Sequence, residues 1–142
     1  MSRIRRVVFD TSTLVRAALR MGSVPHQALL KAMGSCDVCV SVETLAELSA
    51  VLDRDKFDRY LDGESRRGFV ALIVRQTHLF AVQQMHVEAV LPPCRDWKDD
   101  KFLALVVAAE ANALVSSDED LLMLNPWRGV PVMTAAEFLA TD

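Results

Sequence analysis

Arg6-Val7-Val8-Phe9-Asp10-Thr11-Ser12-Thr13-Leu14-Val15 is the stretch on which the fold turns. A short apolar run rich in β-branched and aromatic residues reads as a buried strand, here Arg6 to Phe9. Asp10 closes it. Thr11, Ser12 and Thr13 then offer hydroxyls to cap a helix carrying Leu14, Val15, Ala18 and Leu19. A strand that passes directly into a helix is the first half of a βα unit, and such units build parallel sheets.

Outward from this stretch the alternation repeats. Gly22-Ser23-Val24-Pro25 predicts a break, and a second helix is expected from about His26 to Met33, stopped near Gly34. Val38 to Val40 reads as a strand, and Ser41 can cap a helix with Leu45, Leu48, Val51 and Leu52 on one face. A short charged helix is expected within Asp53 to Leu61, and a longer one from about Glu64 to Leu79. Phe80 to Met85 reads as the third strand, and Pro92-Pro93 opens a loop carrying Cys94 to Lys98. Asp99 to Ala111 predicts a helix apolar on nearly all sides and therefore deeply packed. Ala113 to Ser116 is the fourth strand, with Asp118-Glu119-Asp120 in the turn that leaves it. Val130 to Met133 and a helix capped by Thr134 complete the chain. The expectation is one α/β domain over residues 1–142: a three-layer α/β/α sandwich with a central, mainly parallel sheet of four to five strands.

With 142 residues, 51% hydrophobic and 25% charged, the composition is that of a globular domain. No apolar run approaches the roughly 20 residues that span a bilayer. The basic opening Met1 to Arg6 is followed by too short an apolar segment for a secretory leader, so a cytoplasmic location is expected. Cys36, Cys39 and Cys94 are an odd, sparse set. The Cys36-x-x-Cys39 spacing lacks a second ligand pair for zinc and runs into a strand rather than opening a helix, so reduced structural thiols are expected. His26, His78 and His86 are scattered and carry no assigned role. Net charge is −3; setting four acids aside as a metal site leaves the remainder at +1, so mild acidity is compatible with a nucleic-acid substrate.

Four acids stand where this fold places its ligands, beyond the carboxyl ends of the strands. Asp10 and Asp118 follow strand ends, Glu47 sits in the second turn of a helix that begins after another, and Asp100 lies in the first turn of the apolar helix. Two charges about 4 Å apart repel by roughly 4 kcal/mol at an effective dielectric near 20. Four converging carboxylates therefore need protons or a divalent cation, and hard oxygen donors suit Mg²⁺ or Mn²⁺. Each acid also has an ordinary structural explanation: cap, solvated helix residue, dipole partner or turn residue.

Four blocks in order resemble the PIN-domain nuclease family, which includes VapC-type toxins of toxin–antitoxin modules. These are Val7 to Ser12, Ser41 to Leu48, Asp99 to Ala109, and Leu114 to Leu121. Eighteen residues separate Asp100 from Asp118, the interval the family pattern favours between its third and fourth acids, which selects Asp100 over Asp99. The resemblance implies a Mg²⁺- or Mn²⁺-dependent endoribonuclease acting on single-stranded RNA. Asp10, Asp100 and Asp118 would hold metal, Glu47 would bind it directly or through water, and Asp120 is a lesser ligand candidate. Thr11 and Ser116 keep hydroxyls in supporting positions, whereas Ser12 stands in place of the usual Asn. The family also implies a homodimer and a cognate antitoxin that blocks the cleft.

Arg16, Arg20, Arg95, Lys98 and Lys101 are candidate phosphate contacts, and Trp97 offers a face to a base, against the plainer reading of a half-buried tryptophan. A haloacid-dehalogenase-like phosphatase would need an aspartate where Ser12 stands. A response-regulator receiver would need an aspartate within Val82 to Val87, which has none. The rival from another class is a PIN-like binding module of nucleic acid or protein with little or no nuclease activity, since fold does not fix function.

Overall fold

The computed structural model describes residues 4–141; of the domain expected over 1–142, residues 1–3 and 142 lie outside it. The chain runs β1 (Arg6–Phe9), α1 (Thr11–Leu19), α2 (Val24–Ser35), β2 (Asp37–Val40), α3 (Val42–Leu52), α4 (Gly63–Gln76), β3 (His78–Leu79), α5 (Gln84–Glu88), α6 (Asp100–Ala109), β4 (Ala113–Val115), α7 (Glu119–Leu122), β5 (Val132–Met133) and α8 (Ala135–Leu139), with 3-10 turns at Asp55–Phe57 and Trp97–Asp99. The five strands form one sheet in the order β3-β2-β1-β4-β5, and every pairing is parallel.

Strand side chains alternate between faces, and the cores follow that period of two. Val7 and Phe9, Val38 and Val40, and Ala113 and Val115 join one core with α1, α2, α3, α4 and α8, where Leu14, Leu29, Leu48, Leu52, Ile73 and Phe138 are buried. Val8, Cys39, Leu114 and Val132 join the other, with Phe102 to Val106 and Ala109 of α6, Leu121 and Trp127. Helices on both faces make the molecule a three-layer α/β/α sandwich. Cys36 sits with the first core and Cys39 with the second, so the two thiols of the Cys-x-x-Cys spacing belong to opposite sides of the sheet. Burial pushes the Cys39 and Cys94 thiols up to about 11, which leaves them protonated and inert.

Several local expectations are corrected. The N-cap of α1 is Asp10 itself, whose Oδ1 accepts from the Thr13 N–H at 2.9 Å, rather than any of the three hydroxyls after it. α2 starts earlier and ends later than expected, because Ser23 caps it, Pro25 is tolerated in its first turn, and Gly34 lies inside its last. The third strand is His78–Leu79, and residues 84–88 are helical. Phe80 and Val82 alternate as a strand would, but they pack from an irregular segment onto the α6 side of the sheet. Among the described residues no helix is long and apolar enough to cross a membrane.

Sheet order positions the site. The chain moves outward from β1 through β2 to β3, then returns to the other side of β1 with β4 and β5. The switch point therefore lies between β1 and β4, where successive connections diverge and a crevice opens beyond the carboxyl ends. Asp10 leaves β1 there, its N–H donating to the Val115 carbonyl at 3.0 Å, and Ser116 to Asp118 leave β4 beside it.

Candidate active site

A cleft of about 230 Å³ opens at this point, lined by Asp10, Thr11, Ser12, Glu47, Val51, Asp99, Phe102 and Asp118. Asp10 is only 3% exposed. Its Oδ2 accepts from the Ser116 hydroxyl, and its Oδ1 takes the α1 cap and a 3.2 Å bond from the Ser12 hydroxyl. Ser116 in turn accepts from the Asp118 N–H at 2.9 Å, and Ser12 shares a 2.9 Å contact with the Ser117 hydroxyl. Asp118 caps α7 through its Oδ1, which accepts from the Asp120 N–H at 2.8 Å. The two strand ends are thus tied together by hydroxyls that aim the carboxylates.

Glu47 reaches the cleft from α3. That helix is fixed at its start by reciprocal bonds: the Thr44 N–H donates to Ser41 Oγ at 3.2 Å, and the Ser41 N–H to Thr44 Oγ1 at 2.9 Å. One Glu47 oxygen accepts from Thr11 Oγ1, and the other is paired with the Lys101 ammonium.

The third acid of the cleft is Asp99. Its Oδ2 is buried and finds no hydrogen-bond donor, with the Asp118 carboxyl as its neighbour. Burial, then contact with the Asp118 carboxyl, then the charges of Asp118, Asp96 and Asp10 push the Asp99 carboxyl up from 3.8 to about 7. Two carboxyls in contact need either a proton or a cation between them. Asp100, selected by the spacing argument, faces elsewhere: its Oδ1 accepts from the Cys94 N–H at 2.7 Å, and the residue lines an adjoining groove of about 400 Å³.

The other expected site residues separate by position. Thr11, Ser12 and Ser116 stand where their hydroxyls support the acids. Asp120 does not line the cleft, although its N–H holds Asp118. Arg16 and Arg20 line a different groove, with Leu19 and Tyr60, on the outer part of α1. Lys98 and Trp97 line the groove that adjoins the cleft, Arg95 is exposed, and Lys101 is taken up by Glu47. Ser117 and the Lys101–Glu47 pair were not foreseen, although both lie within the acidic blocks.

The site fits a hard divalent cation by its donors: oxygen ligands only, an excess of negative charge, and a buried carboxylate oxygen with nothing to satisfy it. Among the described residues no three His, Cys, Asp or Glu side chains already stand in coordinating arrangement. The bonds above give the reason. Glu47 is drawn to Lys101 and Thr11, and Asp10 to Ser116 and the α1 cap. A carboxylate has about four lone-pair sites, so these bonds leave room for a further ligand on each.

A family profile for the PIN domain matches residues 6–120, and no curated protein matches the sequence. Three solved structures share the fold at low identity. VapBC2 from Rickettsia felis, bound to a DNA fragment from its promoter, has a TM-score of 0.64 at 12% identity, over 89% of this chain and 96% of that one. VapC20 from Mycobacterium tuberculosis, a Sarcin-Ricin loop cleaving toxin, has a TM-score of 0.54 at 15% identity, over 80% and 91%. PAE2754 from Pyrobaculum aerophilum has a TM-score of 0.60 at 11% identity, over 96% and 91%. The matched stretch runs from β1 into α7 and includes all four cleft carboxylates, so the chain belongs to the PIN domain family.

Proposed function

We propose that this protein is a divalent-cation-dependent endoribonuclease that hydrolyses phosphodiester bonds of single-stranded RNA, with Asp10, Glu47, Asp99 and Asp118 as its active site. The observation that carries this reading is the convergence of Asp10, Glu47, Asp99 and Asp118 on one cleft at the sheet's switch point, with the buried Oδ2 of Asp99 left without a hydrogen-bond partner. Asp10, Asp99 and Asp118 would hold Mg²⁺ or Mn²⁺, and Glu47 would join them directly or through water. When bound, such an ion polarises a phosphoryl oxygen and lowers the pKa of water so that it attacks phosphorus at neutral pH.

The chain's own residues have the remaining work. Ser116 and Ser12 hold the Asp10 carboxylate in one orientation, as partners behind a metal ligand must. Burial and the neighbouring Asp118 carboxyl raise the Asp99 carboxyl to about 7, so Asp99 would have a proton to give up to a bound cation. Lys101 balances the Glu47 carboxylate beside the cleft, and it would be available to a substrate phosphate if Glu47 served a cation instead. A toxin role, inhibition by a cognate antitoxin and a homodimeric assembly belong to the same reading. They rest on the family and on the fold shared with VapBC2 and VapC20. Incubation of the purified protein with end-labelled single-stranded RNA tests it. Cleavage is expected in Mn²⁺, none in EDTA, and a loss of at least about 100-fold in Asp10→Asn, the scale on which electrostatic catalytic groups act. Cleavage that survives Asp10→Asn would remove the site, and cation binding without cleavage would favour the binding module.

A further inference from the structure

The groove beside the cleft has a composition the acidic site does not explain. Its apolar lining comes from Val87, Ala104 and the indole of Trp97. Trp97 is 74% exposed, which discards the half-buried reading. The contrast with Trp127 is instructive, for that ring is 3% exposed and its Nε1–H donates to the Pro92 carbonyl at 2.7 Å. Trp97 is held out on a short ordered turn, which Asp96 caps by accepting from the Lys98 N–H at 3.0 Å. The last residue of that turn is Asp99, so the indole and the cleft's third acid belong to one three-residue turn.

Glu47 lines both the cleft and the groove, which places them wall to wall. The charges around the groove balance: Lys98 and Lys101 against Glu47 and Asp100. A bare anion or an acidic peptide gains little from such a balanced rim. A flat heteroaromatic ring with polar edges gains an aromatic face to stack on, apolar neighbours, and both donors and acceptors at its margin. The volume, about 400 Å³, is within the range of small-ligand sites.

We propose that this groove is a nucleobase subsite for single-stranded RNA, in which Trp97 stacks on the base of a nucleotide next to the scissile position and Lys98 meets its phosphate. The proposal rests on the ribonuclease reading for its substrate. It adds that the enzyme grips a splayed-out base, so that single strands are taken and paired ones refused.

Trp97 fluorescence tests it, with buried Trp127 as an internal reference. Wild-type protein is titrated in Ca²⁺ with a single-stranded ribo-octamer, and the intact length of the oligomer is checked on a gel. A same-length oligomer of abasic ribose phosphates serves as control. The ribo-octamer should quench the exposed tryptophan, and the abasic chain should not. Trp97→Ala should weaken binding about ten-fold by fluorescence anisotropy of labelled RNA, and Trp97→Phe should restore most of it. Absence of quenching at saturation, or equal affinity of wild type and Trp97→Ala, would overturn the subsite. So would a change of oligomeric state in Trp97→Ala with RNA affinity unchanged, which would assign the groove to contact between copies of the chain. Quenching without cleavage in Mn²⁺ would leave the subsite standing and defeat the nuclease reading; cleavage without quenching would do the reverse.

Discussion

Asp99 and Asp100 differ by one position and about 100° of helix rotation, which is enough to send them to different places. Asp99 shares its face with Phe102, three residues on, and both line the cleft. Asp100 shares its face with Ala104, four residues on, and both line the groove. An interval counted back from Asp118 carries no information on side-chain direction, and direction is what separates the two residues. The signal that was present is Phe102, whose face points to Asp99. Asp99→Asn should therefore lower kcat/KM on RNA by about 100-fold or more, as loss of a group acting on the transition state does. Asp100→Ala should act mainly on stability, by about 1–3 kcal/mol, because it leaves the Cys94 N–H without its acceptor. Parallel steady-state kinetics and urea denaturation separate the two. The raised pKa of Asp99 also has a sign. Its carboxyl titrates at 3.8 when unfolded and at about 7 when folded, so between those values the native state holds the extra proton. The stability it contributes is fully present below about 4 and is lost as the pH rises through about 7. In EDTA, wild-type stability should fall between pH 5 and 7.5 more steeply than that of Asp99→Asn; parallel slopes would place the proton elsewhere.

At the scale of elements, the legible parts were those where local chemistry and tertiary burial agree. β1, β2 and β4 are apolar runs buried on both faces, and α6 is apolar because it packs across the sheet. Ser41 and Thr134 cap as their positions suggested, each within a reciprocal box. The third strand was illegible for a physical reason. It is a two-residue edge strand with both side chains exposed, so burial wrote no pattern into it, whereas Phe80 and Val82 carry a period of two set by the packing of an irregular segment. Asp10 takes the cap that its ordinary structural explanation allowed while also lining the cleft, so the two readings of this carboxylate hold together. The Ser41 box makes a prediction at this scale, since α3 delivers Glu47. Ser41→Ala should cost about 1 kcal/mol of stability by chemical denaturation, as loss of an N-cap does, and leave the far end of the helix in place. A change below a few tenths would show that packing of Leu48 and Leu52 alone sets the helix start.

For the molecule as a whole, the sheet order gathers four carboxylates from distant parts of the chain at one switch point, and serine and threonine hydroxyls hold Asp10 and Glu47 there. The α/β/α architecture could be read in advance, and so could the arrival of Asp10, Glu47 and Asp118 at one edge of the sheet, where all three line the same cleft. The third acid, the Lys101–Glu47 pair and the exposed Trp97 could not, because they depend on how α3, α6 and the turn before α6 meet in space. The central claim is that the cleft is a divalent-cation site, and binding to the folded state alone stabilises it by about 2.7 kcal/mol at a hundred times the dissociation constant. The most direct measurement is thermal unfolding across a Mn²⁺ titration for wild type, Asp10→Asn, Asp99→Asn and Asp120→Asn. A Tm that climbs with Mn²⁺ in wild type and Asp120→Asn, and stays flat in Asp10→Asn and Asp99→Asn, is expected. A wild-type Tm unmoved at any concentration, or one that climbs equally in Asp10→Asn and Asp99→Asn, would contradict it.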